Sequence, residues 1–274
     1  MRPRIAEIAK VLLLALAAGY AGVVLLAWLG QEKLLFYPRP VSTKPAAPKG
    51  WRLEEVSFNA RDGTRLAGVL VLPPATKPPL VIYFGGNAEE VTEYAPAASE
   101  QYGDRAVLLV NYRGYGASAG TPGEAALLSD GIELFDWARA RGDVDSSRIA
   151  LHGRSLGGGV AVQVAAARTP KCVVLTSPFL SAVAVAKHLY PWLPVSLLIR
   201  HRFDSAARVP SIHVPALFLM GTADTLIPMK QSQELSTLWG GPAERVVLDG
   251  FGHNDISVTP RYAQAIREFL DRSL

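Results

Sequence analysis

Cysteine is almost missing from this chain: Cys172 is the only one in 274 residues. It has no partner for an internal disulfide, and a single thiol neither proves nor excludes an oxidising compartment. Charge is also sparse. Asp, Glu, Lys and Arg together make up 19% of the residues, and the formal net charge is only +4. No basic run of the kind that tracks a phosphate backbone is present, so nucleic-acid binding has no support. Internal repeats and low-complexity tracts are missing as well.

Apolar residues are what the chain has in excess, at 49% with a mean hydropathy of +0.18. The excess is concentrated near the N-terminus. Residues 11–30, from Val11 to Gly30, carry no charge and match the ~20 apolar residues that a helix needs to cross a bilayer. Arg2, Arg4 and Lys10 precede this stretch, and Trp28 and Tyr37 suit the far interface. A cleaved signal peptide is the competing reading. Its nearest cleavage site, Ala15-Leu16-Ala17, would leave an apolar tail attached, so an uncleaved anchor is expected. The basic first ten residues place the N-terminus in the cytoplasm and the bulk of the chain on the exported side, although Lys33, Arg39, Lys44 and Lys49 weaken the asymmetry.

Beyond the anchor, residues 31–50 are rich in proline and read as an extended linker. Residues 51–274 form the folded domain, and a chain beginning near Pro38 is expected to be soluble and active. Glu54–Asn59 and Arg65–Leu72 alternate around Asp62-Gly63, a hairpin signal. Six apolar runs follow: Leu80–Phe84, Ala106–Asn111, Arg148–His152, Cys172–Thr176, Ala216–Met220 and Arg245–Leu248. Runs of this kind suit strands buried on both faces of a parallel sheet. Helical stretches lie between most of them, over Glu89–Tyr102, Glu124–Arg141, Leu156–Arg168, Lys230–Trp239 and Arg261–Arg272. The expectation is one α/β domain with an eight-stranded, mostly parallel sheet flanked by helices. Residues 179–204 break the rhythm. Pro191 and Pro194 divide them into two short apolar helices, either a small cap over one face or an ordinary crossover pair.

Gly153-Arg154-Ser155-Leu156-Gly157 carries the chemistry. A G-x-S-x-G between a strand and a helix is a nucleophile elbow, in which the tight turn leaves almost no room beside the serine. Serine needs a base to take its proton, and that base needs a third group to orient it. In such folds the order along the chain is serine, acid, histidine. Among five histidines, His152 lies inside a strand, His188 and His201 in the possible cap, and His213 before a strand. Only His253, after the last strand, sits where the base belongs. Asp224, at the lip of the strand Ala216–Met220, is favoured as the acid over Asp249, which suits a turn brace, and over Asp255. The first oxyanion donor is the Leu156 N–H. The second is expected in the loop after Leu80–Phe84, from Asn87 or next from Gly86.

Together these residues make the chain from about Leu34 onward resemble the alpha/beta-hydrolase superfamily. Within it, the chain is similar to the small, N-terminally membrane-anchored serine hydrolases of the depalmitoylase-like group. The motifs that carry the resemblance are residues 34–38, 86–88, 111–118, 153–158, 221–224 and 252–255. The resemblance implies a histidine where Gly85 stands, so a looser oxyanion loop is expected. It assigns the Asn111–Ser118 turn to architecture, with Arg113 in packing.

A serine esterase or thioesterase working through an acyl-enzyme is therefore expected, with no cofactor and no metal. Its substrate would be a small-molecule or lipid acyl compound. A serine peptidase uses the same triad and is the nearest alternative; a non-catalytic tethered scaffold is the third. Serine at position 155 excludes dehalogenase chemistry, which needs a carboxylate there. Leu189 and Trp192, in the possible cap, are expected to contact substrate. Those apolar side chains either wall an acyl pocket or merely pack the cap onto the sheet.

Overall fold

Val, Ile and Leu in unbroken runs put apolar side chains on both faces of a strand, and such strands are stable only between two layers of helix. The computed structural model, which describes residues 2–274, shows this arrangement. After helix α1 (Arg2–Leu35) come β1 (Arg52–Asn59), β2 (Arg65–Leu72), β3 (Leu80–Phe84), α2 (Ala98–Tyr102), β4 (Ala106–Val110) and α3 (Glu124–Arg139). Next are β5 (Ile149–Arg154), α4 (Leu156–Ala167), β6 (Cys172–Thr176), α5 (Ala182–Leu189) and α6 (Val195–Leu198). The chain ends with β7 (Ala216–Gly221), α7 (Met229–Leu238), β8 (Ala243–Leu248) and α8 (Pro260–Ser273).

The strands form one eight-stranded sheet in the order β1-β2-β4-β3-β5-β6-β7-β8. β2 runs antiparallel to both β1 and β4, and the pairs beyond β4 are parallel. Alternate residues serve two cores. Leu80, Ile82 and Phe84 face the side covered by α3, α4 and α7, where Leu134, Val160 and Leu235 are buried. Val81 and Tyr83 face α2 and α8, against Tyr102, Ile266 and Phe269. Arg113 joins the pieces electrostatically: its guanidinium donates to both carboxylate oxygens of buried Asp130 on α3, at 2.7 and 2.6 Å, and reaches Asp62 in the β1–β2 turn.

Three expectations need correction. Glu89–Tyr102 is not one α-helix: Val91–Ala97 is a 3-10 helix containing Pro96, and α2 begins only at Ala98. Proline has no N–H for the α-helical ladder, which accounts for the break. β8 is an edge strand rather than a doubly buried one, and Leu248 is its only buried residue. At the N-terminus the helix does not stop at Gly30. It continues through Leu35, so the first five residues of the expected linker are helical. Over an 18-residue window this helix has a mean hydropathy of 2.3, long and apolar enough to cross a membrane.

The parallel strands all end on one edge of the sheet. The loops after β3, β5, β7 and β8 therefore meet there, and they carry Asn87, Ser155, Asp224 and His253. Residues 179–204, with α5 and α6, fold over that same edge. Glu124, the first residue of α3, holds their far end by accepting the N–H groups of Arg202 and Phe203 at 2.6 and 2.7 Å.

Candidate active site

Ser155 sits between β5 and α4 with φ +52° and ψ −117°, a left-handed conformation that a non-glycine residue rarely holds. The glycines on either side make room for it. A Cβ on Gly157 would lie 1.9 Å from the Phe84 carbonyl oxygen, and one on Gly153 would lie 2.3 Å from the Gly157 carbonyl oxygen. The elbow closes only because both positions lack side chains.

A continuous hydrogen-bonded chain leaves the serine. Ser155 Oγ lies 3.0 Å from His253 Nε2, and His253 Nδ1 lies 2.8 Å from Asp224 Oδ2. The other carboxylate oxygen of Asp224 accepts the N–H groups of Leu226 and Ile227 at 3.0 and 2.8 Å, which fixes its plane. Burial pushes the Asp224 carboxyl up, but the imidazole and those amides outweigh it and hold the pKa below the ordinary carboxylate value. An anionic Asp224 accepts Nδ1–H and leaves Nε2 bare toward the serine hydroxyl, the tautomer that proton abstraction requires. The competing groups are occupied elsewhere. Asp249 accepts from Thr222 Oγ1 at 2.9 Å, Asp255 accepts the Gly252 N–H at 2.7 Å, and His152 is buried among Tyr102 and Thr176.

Leu156 is the first residue of α4, so its N–H is among the amides that a helix leaves unpaired. Of the two expected partners in the β3 loop, Gly86 has its N–H engaged by Glu89 Oε2 at 2.9 Å and is not free for an oxyanion. Asn87 lines the same cavity as Ser155 and Leu156. Its carbonyl accepts from Tyr115 Oη at 2.7 Å and from the Tyr37 N–H at 3.0 Å, which clamps the peptide.

The space beside Gly85, where looseness is expected, is occupied. A Cβ on Gly85 would meet Val91 and Glu89, so Glu89 already fills the space beside it. Glu89 accepts from Gly86 N–H, from Tyr83 Oη at 2.7 Å and from the Arg154 guanidinium. Arg154 in turn donates to the His253 carbonyl oxygen at 2.9 Å. Burial alone would lower the Arg154 pKa, yet the Glu89 charge holds it above the ordinary value. One buried ion pair thus ties the loop after β3 to the loop that carries His253. Neither residue stood out in the sequence, although Arg154 lies inside the elbow motif.

Above Ser155 lies a cavity of about 650 Å³. Leu189, Trp192, Leu193 and Leu198 line one side, and Phe179 and Leu156 lie toward the serine, so Leu189 and Trp192 stand where substrate contacts are expected. The opposite side comes from α1, which the sequence offered only as an anchor.

Comparison with known proteins agrees with this architecture. The family model of X-Pro dipeptidyl-peptidases (S15 family) matches residues 62–192. An uncharacterized Mycobacterium tuberculosis protein, Rv2307c, is 36% identical over 259 residues, covering 91% of this chain and 90% of the relative. The alpha/beta hydrolase domain-containing protein WAV2 of Arabidopsis thaliana is 29% identical over 231 residues, 76% of this chain and 75% of the relative. Among solved structures, an acetyl xylan esterase from Paenibacillus sp. R4 superposes with a TM-score of 0.68 at 22% identity, covering 91% of this chain and 94% of that one. The Pyrococcus furiosus esterase Pf2001 gives 0.69 at 22% identity, covering 87% and 97%. With the sheet order, the elbow and a relative matched over nine-tenths of both chains, the protein belongs to the alpha/beta-hydrolase superfamily.

Proposed function

We propose that the protein is a membrane-anchored serine hydrolase that cleaves a carboxylic ester or thioester through an acyl-enzyme. The observation that carries this reading is the hydrogen-bonded run from Ser155 through His253 to Asp224, opening on an apolar cavity. Ser155 Oγ attacks the acyl carbonyl while His253 Nε2 takes its proton, and Asp224 stabilises the imidazolium that forms. The N–H groups of Leu156 and Asn87 receive the oxyanion; losing one such donor typically costs roughly 2.7–4 kcal/mol of transition-state stabilisation. Collapse breaks the bond to the alcohol or thiol, which leaves with the proton from His253. Water, deprotonated by the same imidazole, then attacks the acyl-enzyme and frees the acid and Ser155.

The S15 match gives the peptidase alternative a specific footing. An apolar wall rather than a set of polar groups for a peptide backbone favours the ester reading. A fluorophosphonate probe should label the wild type, and Ser155→Ala should abolish labelling while the circular dichroism spectrum stays unchanged. Equal labelling of the variant would refute Ser155 as nucleophile. A p-nitroanilide turned over as fast as the matching p-nitrophenyl ester would shift the reading to a peptidase.

A further inference from the structure

Residues of α1 line the cavity at Val23, Leu26, Ala27, Gly30 and Leu34. These five of the eight α1 positions in the lining fall at i, i+3, i+4, i+7 and i+11, one stripe of a helix with 3.6 residues per turn, with Gln31, Lys33 and Leu35 to either side of it. A helix that only crosses a bilayer needs no attachment to the domain beside it, yet this one is pinned on both flanks of the stripe. Tyr20 Oη donates to the Trp192 carbonyl oxygen at 2.9 Å. Gln31 donates to the Leu198 carbonyl oxygen at 3.2 Å and accepts the Arg200 N–H at 2.8 Å. The Arg200 guanidinium lies over the Trp28 ring, 4.8 Å from its centroid, and pairs with Glu32 at 3.2 Å.

The outer surface of the cap continues this pattern. Leu197 is 87% exposed and Trp192 56% exposed, beside helix leucines such as Leu26 and Leu29 that are 69% and 59% exposed. The cap and the anchor therefore both expose large apolar side chains, which a water-facing domain normally leaves only singly. A bilayer that receives the anchor also receives the outer edge of the cap.

We propose that α1 is one wall of the acyl-binding site, and that the substrate is an ester-linked long acyl chain of a membrane lipid, which slides from the bilayer between α1 and the cap to Ser155. This rests on the serine-hydrolase reading and on α1 spanning the membrane. Val23 to Leu34 covers about 16 Å of helix axis, the length of an extended acyl chain of roughly a dozen carbons. Gly30 lies in the middle of that stripe, and a Cβ built on it meets no atom within 4 Å. Its missing side chain leaves the passage open at a position where glycine weakens a helix relative to alanine. Gly30 is thus the gate of the channel. Hydrolysis there consumes one water and releases a fatty acid and a lysolipid.

The full chain in phosphatidylcholine vesicles tests this with p-nitrophenyl palmitate and butyrate. Gly30→Leu should reduce the palmitate-to-butyrate ratio of kcat/KM by about tenfold or more, since each methylene kept out of the site is worth roughly fourfold. Gly22→Leu, on the same helix at a residue that does not line the cavity, should leave that ratio within about twofold of the wild type. A Gly30→Leu ratio equal to the wild type, or an equal fall in Gly22→Leu, would overturn the proposal. A phosphatidylcholine carrying a diazirine in one acyl chain adds a readout independent of turnover. It should crosslink to the peptides containing Leu156 or Phe179, at the cavity floor, in the wild type and in Ser155→Ala, and fail to do so in Gly30→Leu. No crosslink at the floor in the wild type sinks the channel. Floor crosslinks without any fluorophosphonate labelling or ester cleavage would leave the channel standing and defeat the hydrolase reading. Cleavage of a palmitoylated peptide thioester with phospholipid left intact would move the acyl donor onto a protein and overturn the lipid assignment.

Discussion

At the scale of single residues, the oxyanion loop is held by a charge rather than by the histidine that the resemblance implies at position 85. Glu89 takes three donors, from Gly86, Tyr83 and Arg154, and Arg154 passes the constraint on to the His253 backbone. Glu89→Gln preserves the shape and removes the charge. It should lower kcat by about tenfold with KM nearly unchanged, because the loops it aligns matter most when the oxyanion forms. Steady-state kinetics on a butyrate ester checks this; a rise in KM at constant kcat would make Glu89 a substrate contact instead. The hydrogen-bonded run of Ser155, His253 and Asp224 was legible because an elbow confines its serine and two glycines to five consecutive positions, and the order serine, acid, histidine then leaves few choices. Glu89 was not legible. Its partner lies 65 residues away, and a lone glutamate near a turn reads as an ordinary surface charge.

At the scale of elements, the buried strands were visible because a parallel sheet demands apolar residues on both faces, whereas β8 misled because an edge needs them on one. His152 shows what a central strand can carry. It is buried, hydrogen-bonded to Tyr102 Oη at 2.8 Å and to Thr176 Oγ1 at 3.0 Å, and burial with the nearby Arg154 charge depresses its pKa to about 3. The unfolded chain takes up a proton below about pH 6.5 that the native state refuses. Stability is therefore full above that pH and falls between about 6.5 and 3, by up to roughly 1.4 kcal/mol per pH unit. Thermal melts of wild type and His152→Asn should show a flatter acid limb in the variant; parallel limbs would clear His152. α1 was hidden for a different reason. A helix apolar all round shows no face, so the sequence cannot say which stripe docks. The expectation that a chain starting near Pro38 is active turns on two contacts. That cut removes Phe36, 4% exposed and edge-on to His201 at 5.2 Å, and Tyr37, whose N–H clamps Asn87. Losing a buried phenylalanine costs about 3 kcal/mol, a fall of about 6–12 °C in Tm for a domain of this size. Melts and butyrate turnover of chains beginning at Pro38 and at Gln31 separate the cases; equal values would show that the contacts are idle.

At the scale of the whole molecule, the domain is not a bead on a loose tether. The proline-rich residues lie on the domain surface: the Gly116 N–H donates to the Arg39 carbonyl oxygen at 2.7 Å, and Ala47 packs into the second core. With Tyr20, Gln31 and Glu32 also bound to the cap, the hydrolase edge is pressed against whatever surrounds the helix. The 34 residues of α1 reach about 51 Å, well beyond a hydrocarbon core of roughly 30 Å, so both ends would emerge from a bilayer that it crossed, even with tilt. In the proposed topology Arg2, Arg4 and Lys10 keep the first end in the cytoplasm and Ser155 lies on the exported side. The full chain should stay in the membrane pellet through high salt and carbonate, since about twenty apolar residues hold it there and not charge. In right-side-out membrane vesicles, added protease should cut the domain while an N-terminal tag survives. Digestion of the tag with the domain protected would invert the topology. Recovery of the protein from the soluble fraction with an N-terminus near Ala18 would replace the anchor by a cleaved signal, and would remove the bilayer from which the channel beside Gly30 is proposed to draw its substrate.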